Sequence, residues 1–244
     1  SKYGGIFFPG PDLNEYSFHR SYHGHDSYSL VGITHTTASY GVMSSLRQIE
    51  SSSLMPWDAI ICTSKSVQDT VYKVIESNRE NLSAKKITTG KILPKFPIIP
   101  LGIDNNEFNF SDDDKIEARK KLNISKDDIV LIFVGRLSFH AKAHHLPMYL
   151  ALEKASKSLK SGSKLHLIQT GWFPNDYIKE TFENEAKQIC PSIKMHFLDG
   201  KDQDNKRLTF LTGDIFISLS DNIQETFGLT PLEGMSSGLP VIVS

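Results

Sequence analysis

The chain has 244 residues, of which 39% are apolar and 23% charged, and its formal charge is -1. This is ordinary soluble globular material, long enough for two modest domains or parts of larger ones. The near-neutral balance excludes a protein that holds nucleic acid by bulk charge. The longest apolar run falls well short of a membrane span. The opening SKYGGIFFPGPDL lacks the basic head and long apolar stretch of a secretory leader, so a cytoplasmic setting is expected. Cys62 and Cys190 lie in apolar surroundings far apart in the sequence, which predicts reduced core thiols and not a disulfide framework. Sequons at Asn81, Asn109 and Asn123 are read as chance in the absence of a leader.

In chain order, the clearest strand signals are SLVGITH from Ser29, WDAIICTS from Trp57, IVLIFVGR from Ile129, KLHLIQTG from Lys164, DIFISLS from Asp214 and the terminal PVIVS. Helical spacing separates them. Val67, Val71, Val74 and Ile75 share one face, as do Ile178, Phe182, Ala186 and Ile189. Strands alternating with helices predict α/β architecture with parallel sheets of the Rossmann kind. The stretch PIIPLGIDNNEFNFSDDDK interrupts the rhythm and then opens a helix, with Ser111 as N-cap and acids in the first turn. It is read as the crossing between a first domain, residues 1–104, with two central strands, and a second, residues 105–244, with four or five. Both are expected to be incomplete.

Three stretches carry the candidate chemistry. The tail QETFGLTPLEGMSSGLPVIVS sets Glu225 and Glu233 eight residues apart. On one helix they would be rotated about 80° from each other, so Glu225 is placed in the loop after DIFISLS and Glu233 on a helix beginning near Gly228. Backbone amides of Thr226 to Thr230 would then face an anion at the helix start. The alternative is that both acids are plain surface residues. In VGRLSFHAK, Arg136 and Lys142 follow a strand end, where an arginine fork and a lysine point charge suit phosphate, although such cations are also common on solvated surface. In GITHTTAS, His35 ends a buried strand, where open α/β sheets gather their ligands. A hydrogen-bonded structural histidine is the competing reading.

The string ETFGLTPLEGMSSGLPVIV resembles the donor-site signature of retaining glycosyltransferases of the GT-B fold, in family four of that class (glycosyl transferases group 1). VGRLSFHAK resembles the family's diphosphate loop, with two departures. Lysine follows arginine by six positions where five is commoner, and Ala143 stands where glycine is usual. WDAIICTS and IPLGID resemble the last strand-to-helix step of the first domain and the interdomain crossing. The resemblance implies two Rossmann-like domains facing across a cleft, and transfer of a sugar from a nucleoside-diphosphate donor of UDP or GDP type to an acceptor hydroxyl with retention.

The same resemblance implies roles for individual residues. Arg136 and Lys142 would hold the diphosphate beside the amides of Thr226, Phe227, Gly228 and Leu229. Glu233 would hold the ribose, while Glu225 and His35 would meet the sugar. No metal and no cofactor are implied. The acceptor is left open, and peripheral contact with a membrane is compatible. A complete family member would extend beyond both ends of this chain. Three rivals stand beside this reading: a nucleotide-sugar-binding module or remnant without turnover, a glycoside hydrolase using the two glutamates as a pair, and a zinc site drawn from His19, His23, His25 and Asp26 or from His140, His144 and His145. A dinucleotide oxidoreductase is disfavoured, since no G-x-G-x-x-G follows a strand.

Overall fold

The structure is a computed structural model that describes residues 4–88, 92–159, 162–220 and 226–244. Two compact units are present, Ser1–Leu101 with Ile223–Phe227, and Gly102–Asn222 with Gly228–Ser244. Each has a parallel sheet.

The first unit runs β1 (Gly5–Phe7), α1 (Asn14–Ser21), β2 (Ser29–Ile33), α2 (Tyr40–Gln48), a 3-10 turn (Ile49–Ser51), β3 (Ala59–Ile61) and α3 (Lys65–Ala84). Its three strands lie in the order β1-β2-β3. Bridges from Lys95 to Ala59 and from Ile98 to Cys62 continue the pairing beyond β3. The unit therefore has one more strand than the two expected, because β1 is only three residues long and exposed throughout. Ser39 and Ser64 accept the amides of Val42 and Val67 and so start α2 and α3. Val67, Val71 and Ile75, spaced four apart, bury the inner face of α3 with Leu30, Leu46 and Ile60.

Helix α1 docks differently, since its buried residues are Ser17 and Arg20. Arg20 grips Asp58 with two parallel bonds, Nη1 to Oδ1 at 2.6 Å and Nη2 to Oδ2 at 2.7 Å, both side chains being fully enclosed. Each carboxylate oxygen also accepts a backbone amide, from Leu30 and from Met55 at 2.8 Å. The guanidinium donates further to the carbonyls of Tyr28 and Ser53. One ion pair thus ties α1 to the start of β2 and to the turn before β3.

The second unit runs from a 3-10 turn (Asn105–Phe108) through α4 (Asp112–Lys121), β4 (Ile129–Val134), α5 (His145–Ser156), β5 (Leu165–Gly171), α6 (Asp176–Ile189), β6 (Lys194–Asp199), α7 (Gln203–Thr212), β7 (Ile215–Ser218), α8 (Leu229–Ser236) and β8 (Val241–Val243). Its strand order is β6-β5-β4-β7-β8. Ser111 opens α4 with a reciprocal capping box to Asp114. Along β4, Val130, Ile132 and Val134 pack with Phe210 and Phe216 on one face, while Leu131 and Phe133 enter the clusters on the other. Burial on both faces is why this strand reads as an unbroken apolar run. Both cysteines are buried and unpaired, and burial pushes each thiol up to about 11.

At the amino ends of these strands, Asp128, His166 and His196 form a chain, with contacts of 3.2 Å and 3.0 Å. His166 donates from Nε2 to the carboxylate, so its Nδ1 accepts from His196 Nε2. Burial opposes the charge of Asp128, but bonds from the Lys164 and Ser125 amides and from His166 outweigh it and hold the acid low. Burial lowers His166 against the pull of Asp128, lowers His196 with help from His166, and lowers His145 against Glu185.

Asp58→Ala leaves the Arg20 charge buried without its partner and is expected to cost about 3–5 kcal/mol, read from the urea midpoint. The three lowered histidines take protons more readily unfolded than folded, so the second unit is expected to lose stability as pH falls through about 6.5. Asp128 adds a further loss only in stronger acid, below the ordinary aspartate range of about 3.9. Urea melts at pH 7.5 and 5.5 that coincide would contradict the histidine contribution.

Candidate functional site

In the second unit the strand order reverses about β4, whose neighbours β5 and β7 lead away in opposite directions. In open α/β sheets the crevice outside the carboxyl ends of such strands is where ligands gather. Arg136 stands at this point, two residues past the end of β4 and exposed.

The backbone there is unusually close. Gly135 N donates to Thr170 O at 3.0 Å and Leu137 N to Trp172 O at 3.1 Å, while Gly200 N reaches Gly171 O at 2.8 Å. A side chain on Gly171 would meet the Gly135 carbonyl oxygen 1.9 Å away, so glycine is required there. This pairing carries the strand register past the sheet and sets Trp172 beside Arg136. The guanidinium carbon lies 4.7 Å from the centre of the indole ring.

Lys142 is half-buried in the same loop. Its Cε lies 3.6 Å from where a side chain on Gly135 would begin. The amides of Lys142 and Ala143 both return to the Ser138 carbonyl, which closes a turn just before the lysine. His144 caps α5 by accepting the Leu146 amide. His145 turns inward, with Nε2 2.6 Å from Glu185 and its ring 3.9 Å from Phe182. Among the described residues no group of three or more His, Cys, Asp or Glu is arranged to hold a metal.

Helix α8 starts at Leu229, after Gly228 in the left-handed region at φ 78° and without a side-chain cap, so its first amides have no side-chain acceptor at the N-cap. Glu233 lies one turn in and is buried. Its Oε1 is 2.8 Å from Lys206 Nζ on α7, and its Oε2 is enclosed without a hydrogen-bond partner. An enclosed acceptor left unpaired costs on the order of 1–3 kcal/mol. Gly234 lets the helix press on β7, since a Cβ there would stand 2.9 Å from the Phe216 ring.

Thr226 and Phe227 group with the first unit. The Thr226 hydroxyl donates to the His35 carbonyl at 3.2 Å, and the Thr63 hydroxyl donates to the Thr226 carbonyl at 3.4 Å. His35 is exposed just beyond β2, after the buried Thr34 bonds twice to the Ile61 carbonyl. Glu225 lies outside the described residues.

The structure thus brings Arg136 and Lys142 together on one loop, Leu229 and Glu233 on one helix, and His35 and Thr226 in the first unit. Two neighbours were missed from sequence, Trp172 and Lys206. A signal for the first existed: the apolar runs of β4 and β5 are each closed by a glycine, Gly135 and Gly171, so the residues after them, Arg136 and Trp172, face each other. Nothing local marked Lys206.

Two parallel α/β units, the second wound about β4, define the GT-B class of fold, and comparison with solved structures agrees. Anabaena HepE in complex with UDP-glucose superposes with a TM-score of 0.64 at 18% identity, covering 98% of this chain and 59% of that one. Residues 114–244, more than half of the chain, match the model of the family described as glycosyl transferases group 1. The chain belongs to that family. It is 25% identical over 187 residues to an uncharacterised glycosyltransferase of Methanocaldococcus jannaschii, which covers 76% of this chain and 42% of that protein. It is 28% identical over 187 residues to the alpha-monoglucosyldiacylglycerol synthase of Streptococcus pneumoniae, covering 76% and 37%. The chain spans about two fifths of the length of these curated relatives.

The close approach of the strand ends is testable. Gly171→Ala is expected to destabilise by about 1–3 kcal/mol in thermal or urea melts, as an overpacked contact does. Gly41→Ala, on the exposed side of α2 with open space around it, is expected to gain up to about 1 kcal/mol.

Proposed function

We propose that the protein is a glycosyltransferase that moves a sugar from a nucleoside-diphosphate donor to an acceptor hydroxyl with retention of configuration. The observation that carries this reading is the placement of Arg136, exposed at the switch point of the second sheet with its guanidinium laid on Trp172. A planar cation held in one orientation can take two phosphate oxygens at once. Lys142 adds a point charge on the same loop, and the uncapped start of α8 adds oriented amides. Family membership and the UDP-glucose complex of HepE support a nucleotide-sugar donor.

In this reading Arg136, Lys142 and the amides from Thr226 to Leu229 hold the diphosphate, and Glu233 accepts from the ribose. Glu225 and His35 bind the sugar, and Glu225 steadies positive charge on the ring as the bond breaks. The bond from the anomeric carbon to the phosphate oxygen breaks while a bond to the acceptor oxygen forms on the same face. The acceptor proton passes to the departing phosphate. The leaving group gains charge along this path, so cations placed beforehand lower the barrier.

The test has two parts. Among UDP, GDP and ADP, one is expected to raise the melting temperature at millimolar concentration. Arg136→Ala is expected to weaken its binding by about tenfold or more without changing the circular dichroism spectrum, as loss of a charge-assisted bidentate contact should. Glu225→Ala is expected to abolish sugar transfer. Binding without transfer to any acceptor would favour a module without turnover, and absence of binding by all three nucleotides would overturn the reading.

A further inference from the structure

Glu233 presents two unlike oxygens. Oε1 is taken by Lys206 Nζ at 2.8 Å, while Oε2 is enclosed with no partner. The backbone around it is fixed independently: its carbonyl accepts both the amide and the hydroxyl of Ser237, and Gly234 is pressed on Phe216. The carboxylate itself has one side-chain partner among the described residues, Lys206 at Oε1. Lys206 belongs to the first turn of α7, a helix outside the tail motif that carries the glutamate. It keeps a partly exposed ammonium while the glutamate is almost covered, with side-chain exposures of 29% and 11%.

We propose that Lys206 is a positioning residue that locks the Glu233 carboxylate, so that Oε2 is presented to a ribose hydroxyl and the site selects ribonucleotides over their deoxy counterparts. The inference rests on the reading of Glu233 as the ribose ligand. A carboxylate that accepts at Oε2 gains a charge-assisted bond from a hydroxyl and nothing from a C–H, so discrimination falls on the diol and not on the diphosphate. If the clamp is lost, the carboxylate turns, the hydroxyl loses a pre-aimed acceptor, and the ordering cost falls on binding. The phosphate contacts on the β4–α5 loop are untouched by this change. A lysine that only stabilised the fold would affect ribo- and deoxynucleotides alike.

The experiment measures calorimetric affinities of the 244-residue chain for UDP and GDP and for their 2′-deoxy and 3′-deoxy forms, in the wild type and in Lys206→Met, Lys206→Arg and Glu233→Gln. The wild type is expected to prefer the ribonucleotide by about tenfold or more. Lys206→Met is expected to bring that preference close to parity by weakening only the ribonucleotide, while lowering the melting temperature of the nucleotide-free chain because the buried Glu233 charge loses its partner. Lys206→Arg is expected to restore most of the preference, and Lys206→Met added to Glu233→Gln should cause no further loss. Equal weakening of ribo- and deoxynucleotides in Lys206→Met, or an intact preference, overturns the positioning role. A wild type that binds nucleoside diphosphates without regard to the sugar removes the ribose contact of Glu233 and leaves the diphosphate reading standing. A wild type that binds none of them overturns the proposed function itself.

Discussion

The carbonyl of Gly135 occupies the space that any side chain on residue 171 would need. This one steric constraint organises the working end of the second unit. Because β4 and β5 can run together past their last paired residues, the following loops stay in register, and Arg136 and Trp172 emerge side by side. The next strand joins by the same means through Gly200 and Gly171. An exposed arginine has many rotamers of similar energy, and fixing it in one of them ordinarily costs about 1.5–2 kcal/mol of entropy. The indole face offsets part of that cost before any ligand arrives.

The first unit depends on a different device. Helix α1 buries no apolar residue of its own, Tyr16 and Phe18 being exposed, yet it is held by the Arg20–Asp58 pair and the four backbone groups that pair satisfies. A buried ion pair is a weak source of net stability, because both charges must leave water. Its value here is directional. Asp58 accepts from two backbone amides and from both ends of the guanidinium, so a helix shifted by one residue would strand a full charge. Enclosure of Arg20 at 0% exposure makes that penalty large compared with the apolar contacts α1 could gain elsewhere.

This contrast explains what could be read from the sequence. Strands β4 and β5 are covered on both faces and announce themselves as apolar runs, and the stripe of Val67, Val71 and Ile75 marks α3. The edge strand β6, KMHFLD, is half-exposed along most of its length, and β1 is exposed throughout, so neither carries a strong pattern. Helix α1 was hidden for the reason just given. At the candidate site, Arg136, Lys142 and Glu233 could be singled out because they sit in local strings of characteristic type. Their partners Trp172 and Lys206 come from other parts of the chain, 36 and 27 residues away; the first is marked only indirectly, by the glycines that close two neighbouring strand runs, and the second by nothing local.

The difference between motif and partner has a physical basis. Arg136 is exposed and Lys142 half-buried, so burial alone cannot be what orients these two cations. On the reading advanced for this protein, neighbours from elsewhere in the chain do that work: indole against guanidinium at Arg136, and ammonium against one oxygen of the buried Glu233. Such supports can differ in chemistry as long as they hold the same direction. What a transfer reaction demands of the protein is charge already in place when the leaving group develops its own. On the same reading, this chain meets that demand with a tryptophan beside Arg136 and a lysine beside Glu233.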